Sequence, residues 1–151
     1  MPIIVYVGLA KVVSKCGYVF GGYTVLKDTD EYDPDSWTSK TDMPSPGRYA
    51  LAATVISDKG YVFGGYSSLE GGSAIKDTDG YDPDSWTSKT DMPSPGRQFP
   101  AATAISDKGY VFGGYDGTDR LRDTDEYDPD SWTSKTDMPS PTRYAPAATT
   151  I

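Results

Sequence analysis

The sequence predicts an all-β protein built from three repeated antiparallel sheets. The 151-residue chain contains 16 glycines and 12 prolines, and no stretch places apolar residues at helical spacing across three turns. The string DTDEYDPDSWTSKTDMPSPGR occupies residues 28–48 and returns at 77–97 and 123–143 with one change in each copy. Repetition of this kind indicates one small structural unit per copy.

Each unit contains four strand signals, and the second unit shows them in chain order. They are ALAATVIS (50–57), GYVFGGY (60–66), DTDGYDP (77–83) and SWTSKTDM (85–92). Small and β-branched residues suit the first strand to a crowded inner position, and the charges and prolines of the fourth suit an outer edge. We therefore expect a four-stranded antiparallel sheet in each unit.

The way in which these sheets pack is also predicted by the repeated residues. The Gly64–Gly65 pair at the end of the second strand lets the backbone bend and lets an aromatic ring of a neighbouring sheet approach closely. Tyr81 and Trp86 are the candidates for that packing. Because such a sheet cannot bury both faces alone, it must stack on copies of itself, and the radial form of stacking is a β-propeller of four-stranded blades.

The order of these signals resembles a known repeat. A double glycine after an apolar strand, then Tyr, then Trp, then MPSPGR before a small-residue strand, is similar to the kelch repeat. The resemblance extends from about Gly17 to the C-terminus. It implies a kelch-type β-propeller, a family of mostly protein-binding scaffolds with a minority of enzymes.

The repeat boundaries divide the chain into five segments. Residues 1–16 form a degenerate N-terminal segment or inner strand, 17–48 form blade 1, 49–97 form blade 2, 98–143 form blade 3, and 144–151 form a surplus inner strand.

Three four-stranded blades leave half of a six-bladed circle open, because propellers typically have four to eight blades. Exposed blade faces of that size are improbable on a monomer. We expect a second chain to complete a six-bladed ring, since twofold dimers are the commonest oligomers. The competing explanation is that the chain is a fragment of a longer protein.

The inner-strand pattern occurs at 50–57, at 99–106 and again as YAPAATTI at 144–151. GLAKVVSK (8–15) aligns with it only loosely. We predict that 144–151 is exchanged and supplies the inner strand of the blade that begins at Gly17 in the partner chain. In the alternative, GLAKVVSK serves its own blade and the C-terminal segment is surplus.

Composition excludes several function classes. The net charge of −8, without a run of Lys or Arg, argues against nucleic acid and anionic membranes as partners. Cys16 is the single cysteine, so no intrachain disulfide is possible, and no segment has the length of a membrane-spanning helix. We expect a cytoplasmic protein.

Histidine is absent, which removes the commonest general base and metal ligand. It also removes the ligands of the copper oxidases among kelch proteins. We therefore expect no catalytic residues, no cofactor and no enzyme activity.

Aspartates recur through the repeats, at Asp28, Asp30, Asp33 and Asp35 and at the matching positions of the other two copies. Their spacing suggests Ca²⁺, but the fifth position of the EF-hand order is Tyr here. Asp33 and Asp35 flank a turn proline, where Asp is common for conformational reasons. We expect no metal site, and sequence alone leaves the question open.

The candidate ligand-binding residues follow the MPSPGR strings. Arg48, Arg97 and Arg143 each precede an inner strand, on the face that also carries the variable loops, and Tyr49, Gln98 and Tyr144 stand beside them. In kelch adaptors that resemble this chain, arginines at this place line a shallow central pocket and hold acidic peptides. Guanidinium groups match carboxylates in shape and charge. In the competing interpretation each arginine pairs with a nearby Asp and joins the blades.

Two function classes remain. We expect a non-enzymatic protein- or peptide-binding scaffold that uses the arginine-bearing face and the loops 24–27, 67–76 and 116–122, with itself and acidic peptides as partners. The alternative is a structural or minimal repeat protein, recently duplicated or engineered, without a dedicated ligand. A carbohydrate-active propeller is the less favoured third class.

Overall fold

The computed structural model describes residues 16–22, 26–69 and 71–151 of the chain. These residues form β-strands joined by turns and loops and contain no helix. The strands make three main sheets, each antiparallel and each with its strands in chain order from one edge to the other. The all-β prediction is therefore confirmed.

The strands of each main sheet are consecutive in the chain apart from one small hairpin. Sheet 1 contains β1 (Gly17–Phe20), β2 (Thr29–Asp33) and β3 (Ser36–Ser39). Sheet 2 contains β4 (Ala52–Ile56), β5 (Lys59–Phe63), β8 (Thr78–Asp82) and β9 (Ser85–Ser88). Sheet 3 contains β10 (Ala101–Ile105), β11 (Lys108–Phe112), β12 (Thr124–Asp128) and β13 (Ser131–Ser134). The separate hairpin is β6 (Tyr66–Ser67) with β7 (Ser73–Ala74), within the longest variable loop.

Two-residue turns set the register of sheets 2 and 3. Ser57 and Asp58 both have positive φ, at 47° and 68°, and join Ile56 to Lys59 as directly facing residues. Positive φ at both central residues is the turn geometry that matches the natural twist of a β-hairpin. Asp84 at the next turn also has positive φ, 70°, and its N–H donates to the Tyr81 hydroxyl at 3.2 Å. The turn aspartates therefore have a conformational role, as expected.

The core lies between sheets. Phe63 of sheet 2 is fully buried and its ring centroid lies 5.8 Å from that of Tyr127 and 5.5 Å from that of Trp132, both on sheet 3. Phe20 of sheet 1 makes the matching contacts with Tyr81 and Trp86 of sheet 2, at 5.8 and 5.2 Å. Tyr81 and Trp86 therefore pack across the sheet boundary as the sequence predicted.

The glycine that admits the neighbouring ring is not the one expected. A Cβ on Gly60 would lie 3.4 Å from Phe20 Cζ, and a Cβ on Gly109 would lie 3.4 Å from Phe63 Cζ and 2.8 Å from Ile56 Cδ1. Gly64 and Gly65 instead have positive φ, 60° and 112°, and lie against backbone oxygens of the loops before the inner strands. The prediction that this pair admits an aromatic ring is therefore wrong, although the pair does bend the chain.

Sheet 1 differs from its neighbours. Among the described residues it has three strands where sheets 2 and 3 have four, and the position without a described strand is the inner one, next to β1. The N-terminal segment 8–15, offered above as a source of this strand, lies outside the described residues. Residues 144–151 lie within the described part and run beside β10, where Thr150 Oγ1 donates to the Ala104 carbonyl at 2.5 Å.

Sheets 1 and 3 each contain a glutamate that accepts a hydrogen bond from a tyrosine of the neighbouring strand, and in sheet 3 two lysines also contact the glutamate. Glu126 accepts hydrogen bonds from the Tyr110 hydroxyl at 2.6 Å and from Lys108 at 3.0 Å, and Lys135 lies 3.2 Å away. The Tyr110 and Lys108 hydrogen bonds lower the pKa of Glu126 to about 2, and Glu126 raises the pKa of Tyr110. In sheet 1, Tyr18 donates to Glu31 at 2.5 Å. Sheet 2 has Gly80 at this position, so this carboxylate is missing from it.

Replacing Gly80 with Glu should stabilise the protein by about 1 kcal/mol, because it removes a glycine from a strand interior and provides a charge-assisted acceptor. A Cβ at this position would lie 3.2 Å from Tyr61 Cε1, so the ring must shift by a few tenths of an ångström. Sheet 1 shows that a glutamate fits beside the equivalent tyrosine. There Tyr18 donates to Glu31 while its ring lies 5.3 Å from that of Tyr81. The equivalent distance from Tyr61 to Tyr127 is 5.4 Å.

Urea denaturation at fixed protein concentration measures this effect, and Gly80→Ala is the matched control. Glu should stabilise more than Ala, since Ala supplies the backbone effect without the acceptor. A Gly80→Glu variant that is less stable than the parent would contradict the assigned role of this position.

Candidate binding face and buried arginine pairs

The inner strands and the variable loops meet at one face of the sheets, here called the loop face. Tyr49, before β4, forms a β-bridge with Tyr66, after β5, through backbone hydrogen bonds of 2.8 and 3.1 Å. Gln98 and Tyr115 form the same bridge in the next repeat. The segments that precede the inner strands therefore lie beside the variable loops, as the sequence analysis expected.

Backbone hydrogen bonds fix the position of each arginine. Arg97 N–H donates to the Ile75 carbonyl at 3.1 Å, and the Arg97 carbonyl accepts from Gly65 N–H at 2.9 Å. Arg143 makes the equivalent pair with Leu121 and Gly114, at 3.1 and 3.2 Å. The backbone at Arg143 thus has the same relation to sheet 3 that the backbone at Arg97 has to sheet 2.

Two of the three arginines are buried between sheets. Arg48 and Arg97 are 1% and 0% exposed. Arg97 Nη2 lies 2.6 Å from Asp125 Oδ2 and 3.7 Å from Asp123 Oδ2 of sheet 3. Arg48 pairs in the same way with Asp79, and with Asp77 at 3.8 Å, in sheet 2. Each arginine therefore joins its own repeat to the DTD segment of the following one.

The burial of these two arginines bears on the predicted ligand site. Their Nε and Nη1 atoms have no hydrogen-bond partner within the described residues, but these atoms are shielded from the surface. The geometry agrees with the interpretation in which arginine joins the sheets. Arg143, by contrast, is exposed.

The side chains that the loop face offers around these arginines are mainly aromatic. The Tyr49 and Tyr66 rings lie 5.2 Å apart, and Tyr144 packs 4.8 Å from Phe99 and 5.8 Å from Tyr115. Tyr144 is exposed and the other four are partly buried. Sequence reasoning named Tyr49, Gln98 and Tyr144 but missed the rings of Tyr66 and Tyr115. A signal for these two tyrosines was present, since GYVFGGY ends in Tyr in every copy.

The variable loops have internal order of their own. Asp116 accepts hydrogen bonds from the N–H groups of Thr118 and Asp119, both at 2.7 Å, and these bonds lower the pKa of Asp116. The Tyr115 hydroxyl donates to the Gly117 carbonyl at 2.8 Å. Loop 67–76 contains the β6–β7 hairpin, and loop 24–27 is only partly described.

A cavity lies at the open inner edge of sheet 1. It has a volume of about 380 Å³ and is bounded by Cys16, Gly17 and Tyr18 on one side and by Ala53, Thr54 and Val55 of β4 on the other. It therefore lies beside β1 at the inner position of sheet 1, where the described residues contain no strand. Its lining is apolar with few polar groups.

Within the described ranges, no group of three or more His, Cys, Asp or Glu side chains is placed to hold a metal ion. The same ranges contain no helix that could span a membrane.

Repeated sheets stacked through aromatic rings, with loops gathered on one face, define a propeller-like repeat protein. The Kelch motif family matches residues 96–139, and this match confirms the resemblance noted in the sequence. A solved structure of YjhT superposes with a TM-score of 0.73 at 18% identity, over 85% of this chain and 50% of that one. The chain therefore spans about half the length of YjhT, a likeness that concerns the fold alone. No curated protein matches the chain by sequence.

Replacing Arg97 with Met should destabilise the protein by about 3–5 kcal/mol, because it leaves Asp125 buried without its counter-charge. Replacing both residues, as Arg97→Met with Asp125→Leu, should restore much of this loss. Chemical denaturation of the parent, the two single variants and the double variant gives the coupling energy. A single variant as stable as the parent would show that the pair does not join the sheets.

Proposed function

We propose that the chain is a non-enzymatic protein- or peptide-binding scaffold of the kelch-propeller type, completed to a six-bladed ring by a second copy of itself. The observation that supports this most strongly is the unequal strand count. Among the described residues, sheet 1 has no inner strand and a cavity lies beside β1, while residues 144–151 have the inner-strand sequence and lie beside β10 without a sheet of their own. In the proposed ring, the C-terminal segment of one copy fills this position in the other.

The proposed ring contains three blades from each chain, with residues 144–151 of one chain as the inner strand of blade 1 in the other. Supporting this, Ala145 has a φ of 49°, close to the 56° of Ala50 and the 54° of Phe99 at the equivalent positions. The backbone thus turns toward the inner-strand position at the C-terminus as it does before β4 and β10.

Ligand binding is proposed for the loop face. In the single chain, Arg48 and Arg97 are already paired, so the contacts come from the variable loops and from Tyr49, Tyr66, Tyr115 and Tyr144. Gln98 is buried and positions Tyr115 through its backbone bridge. Tyrosine side chains offer large contact area at low entropic cost. Acidic peptides remain the proposed ligand class. Arg143 is exposed in the single chain, and Arg120 of loop 116–122 is a second exposed cation on this face, next to Tyr115.

A second candidate function is that of a structural repeat protein without a dedicated ligand. The observation that favours it is the use of Arg48 and Arg97 as links between sheets, because this gives the repeated arginines a role that requires no ligand.

Light scattering after size-exclusion chromatography tests the ring. The parent should have twice the 16.3 kDa mass of one chain. Deletion of 144–151 should give a folded species of monomer mass, because the inner position of blade 1 is then unfilled. A compact monomer of the full chain would contradict the ring, and a dimer that survives the deletion would contradict the strand exchange.

A thermal-shift measurement tests the binding face. An acidic peptide should raise the melting temperature more than a neutral peptide of the same length, and Tyr66→Ala should reduce the shift. Lys59→Ala is the matched control, since Lys59 follows the turn at the opposite end of β5 and should leave the shift unchanged. If no peptide of either kind shifts the parent, the structural role is favoured over the scaffold.

A further inference from the structure

The two sheet junctions of the chain are built from one repeated set of contacts. Trp86 Nε1 donates to the Thr41 carbonyl at 2.9 Å, and Trp132 Nε1 donates to the Thr90 carbonyl at 2.8 Å. The same threonines donate through their hydroxyls to the carbonyls of Asp84 and Asp130, at 3.1 and 3.0 Å.

Charged pairs repeat in the same register. Lys40 lies 3.4 Å from Asp84, and Lys89 lies 3.2 Å from Asp130. Each junction therefore has a buried arginine that pairs with two aspartates and a lysine–aspartate pair nearer the surface. The residues that follow in the repeat, Lys135 and Arg143, would make these pairs at a third junction, but the described residues contain no sheet that follows sheet 3.

The face of sheet 1 that points away from sheet 2 carries the residues that sheets 2 and 3 use to receive the preceding sheet. Tyr32 is 40% exposed, whereas the equivalent Tyr81 and Tyr127 are 2% and 0% exposed. Trp37 is exposed, and none of the five arginines within the described ranges forms an ion pair with Asp28 or Asp30.

Gly17 shows the same vacancy at the backbone. Gly60 and Gly109 each accommodate a phenylalanine of the preceding sheet, but the nearest described atom to a Cβ on Gly17 is Tyr32 Cβ, at 4.0 Å. The glycine is thus present in sheet 1, and no ring of the described residues lies against it.

We propose that sheet 3 of one chain docks on sheet 1 of a second copy through this same contact set, with Arg143 paired to Asp30 of the partner subunit. Each such junction is head-to-tail, and two identical junctions close the six-bladed ring. This inference therefore rests on the ring proposed above. By homology with the internal junctions, the Thr136 carbonyl accepts from Trp37 of the partner subunit, and Phe112 packs on Tyr32 of the partner subunit.

The register of the exchanged strand follows from β10. Residues 147–151 have the sequence AATTI, against AATAI in β10, and Ala102 faces Val111 in sheet 3 as Ala53 faces Val62 in sheet 2. In the same register, Ala148 faces Val19 of the partner subunit. Val19 lies on the same face as Tyr32 and is 50% exposed in the single chain, while Val62 and Val111 are fully buried. In the proposed junction the docked sheet 3 and the exchanged strand both cover it.

Charge reversal tests the ion pair. Arg143→Asp alone and Asp30→Arg alone should each give monomer mass at concentrations where the parent is dimeric, because like charges then meet at both junctions. An equimolar mixture of the two should recover the dimer mass, since each junction of the mixed ring joins opposite charges. Lys59→Asp, a reversal of the same size away from the junction, should remain dimeric. Two single variants that stay dimeric would overturn the Arg143–Asp30 pair.

Disulfide trapping tests the register and does not depend on that ion pair. In a Cys16→Ser background, Val19→Cys with Ala148→Cys should give a covalent dimer on oxidation. Ala53→Cys with Val62→Cys is the positive control and should oxidise within one chain. Val19→Cys with Thr149→Cys should not cross-link, because a shift of one residue turns the side chain to the other face.

Two outcomes of the Val19→Cys, Ala148→Cys pair would overturn the proposed junction. One is a disulfide that forms within a single chain, and the other is the lack of any disulfide under conditions where the positive control oxidises. Neither outcome depends on a ligand, so failure here is distinguishable from failure of the binding scaffold.

Discussion

The structure depends on one constraint: the aromatic face of each sheet can be covered only by the next sheet. Tyr127 is fully buried because Phe63, Tyr61 and Trp132 surround it, and this burial raises its pKa to about 12. The approach is close enough to require glycine, since any side chain at Gly109 would meet Ile56 and Phe63. The distance between sheets is therefore set by a ring against a glycine, which leaves little freedom in how the repeats stack.

The electrostatics follow from that packing. Arg97 and Asp125 are brought together because the aromatic contact fixes sheet 2 against sheet 3, and once buried they must pair, since an isolated buried charge is costly. A buried pair adds little net stability compared with apolar residues of the same size. Its effect is to favour one alignment of the two sheets over others, because any slip would separate the charges. The acidic excess of the chain lies largely in exposed turn and strand-end residues, outside these pairs.

The repeated strings were sufficient to predict the sheets, their strand order and the ring contacts of Tyr81 and Trp86. They were not sufficient to decide the role of the arginines, because burial of Arg48 or Arg97 depends on the position of the following sheet and not on the local pattern. The β6–β7 hairpin was missed since its loop is present in one copy only and offers no repeat for comparison. The role of Gly64 and Gly65 was misassigned because a close backbone approach and a close ring approach both require glycine, and sequence does not distinguish them.

Near-identity of the repeats links internal stacking to assembly. The two internal junctions agree closely, with Phe–Trp separations of 5.2 and 5.5 Å and indole hydrogen bonds of 2.9 and 2.8 Å. A junction between chains made from the same residues would rotate each sheet against the next by the same amount. Head-to-tail contacts form a closed ring when that rotation divides the circle and an open filament when it does not. If the proposed ring forms, the curvature that the ring-against-glycine contact fixes inside one chain also decides how many copies close it. A substitution that alters this contact would then change the assembly as well as the stability of the chain.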